Sequence, residues 1–85
     1  MQIKLNIDRY NTISIQQGVI SYILVNLGEE ITLIGTGART RYNELCEKAC
    51  ELYLPKASKR SARTCRRWFD HYLKYGETPE ETKNT

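Results

Sequence analysis

Gly28, the Gly35–Gly37 pair, Pro55 and the Gly76–Pro79 pair divide this chain of 85 residues into short stretches, and each regular element has to fit between two of these breaks. Glycine ends a helix because it reaches positive φ without strain, and proline because it has no amide to donate. A domain of this size buries only about 60 % of the surface its unfolded chain exposes. A deep enzymatic cleft is therefore not expected, and a binding role is.

Before the first break, Gln2-Ile3-Lys4-Leu5-Asn6-Ile7 alternates polar and apolar residues as a half-buried strand does. Asp8 to Asn11 reads as a polar turn, with Asn11 or Thr12 as a helix cap. From Ile13 to Leu27 the β-branched content points to a strand, but Ile13, Ile20, Ile23, Leu24 and Leu27 form a helical stripe, and a helix is expected. Ile31-Thr32-Leu33-Ile34 has the look of a short buried strand leading into the Gly35-Thr36-Gly37 turn. Thr40 or Asn43 is placed to cap a second helix, whose Leu45, Ala49, Leu52 and Tyr53 share a face and which Pro55 closes. Cys65, Trp68, Phe69, Tyr72 and Leu73 then recur at helical spacing until Gly76. Residues 1–76 are expected to form one domain and residues 77–85 a solvated polar tail.

No apolar run approaches the roughly 20 residues of a membrane span, and the amino terminus lacks the features of a secretory signal. A cytoplasmic protein with no membrane partner is the expectation. Three cysteines, Cys46, Cys50 and Cys65, cannot all pair within one chain and read as reduced thiols. Together with His71 they offer four potential zinc ligands, but the spacing fits no compact zinc module, so neither a metal nor another cofactor is expected. Asp70 beside His71 is weak support for a catalytic pair, because successive helix residues point apart. No other catalytic constellation is visible, and an enzyme is not expected.

Charge is distributed unevenly. Residues 31–75 hold ten basic and four acidic groups, whereas both flanks lean acidic. Lys56, Lys59, Arg60, Arg63, Arg66 and Arg67 follow one another with no intervening carboxylate. The repulsion within such a run is offset when a polyanion binds and releases its condensed counterions. Arg39 and Arg41, beyond the glycine turn, extend the same candidate surface. Trp68, Phe69, Tyr72 and Tyr75 suit stacking on unpaired bases, although their helical spacing favours the core for all but Tyr75. Gly35 and Gly37 permit either a tight turn or a close backbone approach to phosphate.

The segment Glu30-Ile31-Thr32-Leu33-Ile34-Gly35-Thr36-Gly37-Ala38 resembles the strand-turn-helix junction of the stage V sporulation protein S family, within the Alba-like superfamily. The order of elements over residues 1–57 extends the likeness. The resemblance implies an α+β fold, a small Alba-like β-α-β-α domain that dimerises and binds DNA or RNA. The lysine that such proteins often present near the first helix has no counterpart at Ser14, Gln16 or Gln17. The carboxy-terminal third departs from the family, with a helix over 61–75 favoured over its two strands. The leading expectation is thus a non-enzymatic nucleic-acid-binding domain using the eight basic residues named above. Two alternatives are a helix-turn-helix DNA-binding module over residues 42–75 and a protein-interaction or inhibitor domain docking an acidic partner.

Overall fold

The alternating amino-terminal segment does not form a strand. It is the start of one long helix, α1 (Gln2–Leu27), in a computed structural model that describes residues 2–54 and 61–83, with side chains from Asn11 onward. Extending an existing helix gains about one hydrogen bond for each residue fixed, whereas a strand satisfies its backbone only against a neighbour. Among the described residues there is no strand to serve as one. The polar stretch from Asp8 to Asn11 is likewise helical, and Gly28, at φ 57°, ends α1 as expected.

Ile31 to Ile34, the second expected strand, lies mostly within a 3-10 helix spanning Gly28–Leu33. In a three-residue repeat positions i and i+3 lie one above the other. Ile31 and Ile34 thereby pack together against the core, while Thr32 and Leu33 face water. The expected α+β, Alba-like β-α-β-α fold is therefore replaced by helices throughout the described residues.

The second half is helical where its periodicity predicts, although Leu52, Tyr53 and Leu73, expected on the apolar faces, are exposed. α2 (Tyr42–Tyr53) starts where Thr40 Oγ1 accepts the Tyr42 amide at 3.2 Å, and it stops before Leu54. Helix α3 (Ala62–Tyr75) is capped by Ser61, whose hydroxyl accepts the Arg63 amide, and closed by Gly76 at φ 77°. Val19, Ile20, Ile23 and Leu27 of α1 bury one stripe against Leu45, Cys46 and Ala49 of α2 and Cys65, Trp68 and Phe69 of α3. Each of the larger side chains contributes roughly 1.5–3 kcal/mol by leaving water. Ile13 and Leu24, expected within the α1 stripe, lie half-buried at its margins. At Gly18 the first two helices meet closely enough that a Cβ would stand 2.8 Å from the Tyr53 ring.

Residues 79–83 are not solvated tail. Pro79–Lys83 forms a short helix, α4, packed on α1 and α3. Thr78 Oγ1 accepts the Glu81 amide at 3.1 Å while Glu81 Oε1 accepts the Thr78 amide at 3.0 Å, a reciprocal capping box with proline at the first helical position. Those bonds hold the Glu81 carboxyl below its ordinary pKa, the Thr78 backbone amide being the largest cause. Gln16, buried on α1, accepts the Glu80 amide at 3.1 Å and so ties α4 to α1. Thr78→Ala is expected to cost about 1 kcal/mol. Hydrogen exchange should then accelerate at Glu80 and Glu81 while the α2 amides keep their protection.

Candidate nucleic-acid interface

The helical repeat sorts α3 into two faces. Cys65, Trp68, Phe69 and Tyr72 point inward, whereas Arg63, Arg66, Arg67, Asp70 and Lys74 are exposed. Because 63, 67 and 74 are separated by four and seven residues, the three fall within one narrow strip, with Asp70 and Arg66 along its edge. Tyr75 is exposed, and its ring lies 4.5 Å from that of His71. Core packing thus takes three of the four aromatic residues that might have stacked on bases, Tyr72 only in part.

Arg66 is held in place by α2. Its Nη2 donates to Asn43 Oδ1, and the guanidinium carbon stands 5.8 Å from the centroid of the Tyr42 ring. Tyr42 Oη in turn lies 3.2 Å from both the Arg66 carbonyl and Asp70 Oδ1. Burial, helped by the neighbouring Cys46 and Asp70, pushes the Tyr42 phenol far above its usual pKa, so the ring stays neutral. Arg66 is therefore a fixed cation with part of its hydrogen-bonding capacity already committed. Arg63 and Arg67 differ: among the described residues, neither side chain is in an ion pair.

The remaining basic residues are scattered. Arg41 donates to the Asn26 carbonyl at 2.6 Å and pairs with Glu30 at 3.4 Å, so it caps the end of α1. Arg39 is exposed on the loop between the glycine turn and α2. Lys56, Lys59 and Arg60 lie outside the described residues. Gly35 and Gly37, at φ 85° and 87°, make the tight turn that two glycines permit. Thr36 closes it by donating to the Leu33 carbonyl at 2.6 Å, and α2 begins only at Tyr42.

All three thiols are free. Burial raises Cys46, against the opposing pull of Arg66, and burial together with the neighbouring Cys50 and Cys46 thiols raises Cys65 to about 12. Cys46 and Cys65 thus remain protonated at neutral pH and are poor nucleophiles and poor metal ligands. His71 Nε2 lies 2.9 Å from Thr82 Oγ1, a bond that ties α3 to α4. Glu77 Oε1 accepts from the same hydroxyl at 3.1 Å.

Two features went unread in the sequence. Thr78-Pro79-Glu80-Glu81 is a legible helix start, because a threonine cap, a first-position proline and a glutamate three residues on meet there. Lys83 follows from it, since only a docked α4 carries this cation back toward α3. The partnership of Asn43 and Tyr42 with Arg66 had no local signal, being made across 23 and 24 residues.

Compared with protein-family models, with curated proteins and with solved structures, the chain has no match in any of the three. No helix among the described residues is long and apolar enough to cross a membrane.

Proposed function

We propose that this chain is a cytoplasmic, non-enzymatic nucleic-acid-binding domain whose outward α3 face contacts phosphates. The observation that supports the reading is the separation of α3 into an apolar face committed to the core and an exposed basic face on which, among the described residues, neither Arg63 nor Arg67 is in an ion pair. Charge elsewhere has the other sign: Glu44, Glu47 and Glu51 of α2 gather around Lys48, and that cluster repels an approaching polyanion. Arg39 and the sequence run Lys56, Lys59 and Arg60 add positive charge for the same ligand. Arg41, occupied at the end of α1, is left out of the footprint.

A helix-turn-helix mode is a specific form of this reading. It is favoured by the succession of α2 and α3 and by the three arginines within the amino-terminal half of α3, the part that such proteins direct at base edges. Eight residues separate α2 from α3 in sequence, more than the usual turn of three to four, which makes any such unit a variant.

The test is the Arg63→Glu/Arg67→Glu double variant, titrated against labelled duplex DNA, single-stranded DNA and RNA at two salt concentrations. Affinity for the preferred ligand is expected to drop at least tenfold at low salt, and the log-log salt slope to fall by about two. Lys48→Glu, on α2, should change neither. Parental affinity and slope in the double variant would overturn the proposal. A strong preference among unrelated duplexes would select the helix-turn-helix form, and equal affinity for all of them would reject it.

A further inference from the structure

Between α1, α3 and α4 runs a groove of about 530 Å3. Its walls carry Arg67 and Thr64 from α3, Gln16 from α1, and Glu80 and Lys83 from α4. Among the described residues, the Lys83 side chain is in no ion pair, nor is that of Arg67. Arg67 belongs both to this groove and to the basic strip on α3, which makes the two surfaces continuous.

We infer that the groove seats a backbone phosphate of the bound nucleic acid between Arg67 and Lys83, so that α4 is part of the interface. The inference rests on the nucleic-acid reading above and extends it from one helix to two. A phosphate oxygen takes charge-assisted hydrogen bonds from a guanidinium and an ammonium at once, and the Thr64 hydroxyl adds a neutral donor. Two cations presented by different helices also fix the direction of the strand, which a single row on α3 does not. Glu80 is the opposing charge on the wall, and it lowers the affinity of the groove for any anion. Its backbone amide, not its carboxylate, holds α4 to Gln16, so the side chain can be neutralised without undocking the helix.

The docking of α4 then has a functional consequence. The capping box and the Gln16 bond set where Lys83 stands relative to Arg67, and loosening them removes the second phosphate contact without touching any cation.

The experiment titrates the full chain with the nucleic acid it binds best and compares Lys83→Glu, Glu80→Gln and Arg63→Glu over a salt series. Lys83→Glu is expected to weaken binding about five- to tenfold and to lower the log-log slope by about one. Glu80→Gln should tighten binding severalfold. Both are surface changes near the chain end, and a circular-dichroism melt confirms that each variant folds like the parent. If Arg63→Glu weakens binding while Lys83→Glu and Glu80→Gln leave affinity and slope unchanged, the groove is outside the footprint and this inference is wrong, although the α3 reading stands. If the parent binds no nucleic acid, or Arg63→Glu matches it, both readings fall together.

Discussion

Phe69→Ala is expected to remove about 3–5 kcal/mol of folding stability. Phe69 is the largest of the fully buried side chains, and its ring stands 5.5 Å from that of Tyr42. The residues around it are contributed by three helices whose backbones are fixed elsewhere, so the cavity collapses only in part and the loss of contacts adds to the loss of transfer free energy. A domain of this length has roughly 5–10 kcal/mol in all. The variant should therefore melt on the order of 20 °C lower and show a measurable unfolded fraction at ambient temperature. Phe69→Leu, which refills most of the volume, should cost under about 1.5 kcal/mol. Val25→Ala, at a residue of α1 that is 77 % exposed, should stay within about 0.5 kcal/mol of the parent. Thermal and urea denaturation followed by circular dichroism ranks the three. An equal loss in Phe69→Ala and Val25→Ala would show that the core is not where the structure puts it.

The same residue shows what the sequence made readable. Phe69, Trp68 and Cys65 recur at helical spacing up to a glycine stop, and that local pattern alone places α3 and the buried part of its inner face. α2 was readable for the same reason, with Pro55 marking where it had to end. Periodicity failed where a segment was too short to distinguish one period from another. Six alternating residues at the amino terminus satisfy a strand template, but the helix that follows extends through them more cheaply than a strand finds a partner. Ile31 to Ile34 suit a buried strand equally well, until Gly28 and the bond from Thr32 Oγ1 to the Glu29 carbonyl set a three-residue repeat. Among the candidate site residues, the outward placement of Arg63, Arg66 and Arg67 followed from the α3 pattern. The use of Arg41 as a cap for α1 did not, because it depends on a chain reversal that brings Asn26 and Glu30 beside it. Charge runs name candidates, and only tertiary contacts decide which of them are already spent on the fold.

Raising the pH from about 9 to about 12 is expected to weaken the fold steeply, and Cys65 should account for a definable share of the loss. Its thiol lies fully buried, beside Cys50 and Cys46, and its pKa is pushed up to about 12, whereas in the unfolded chain it returns to the ordinary thiol range near 8.5. Between those values the native state holds a proton that the unfolded state has lost. Stability therefore falls as pH rises, by up to about 1.4 kcal/mol per pH unit for this one group, and it is fully present below the unfolded pKa. Cys46 and Tyr42, both raised mainly by burial, act in the same direction, the phenol entering only above about pH 10. The parent curve sums the contributions of Cys46, Tyr42 and Cys65, so it does not by itself isolate the thiol. Cys65→Ala does: it costs stability at pH 7 by leaving a small void, and its curve should be flatter than the parent's between pH 9 and 11, so that the two converge or cross. Urea unfolding at pH 7, 9 and 11 measures this directly. Parallel curves would mean that Cys65 ionises as freely in the folded chain as in the unfolded one. That outcome would contradict its burial between α2 and α3, and with it the helix register that turns Arg63 and Arg67 toward the solvent.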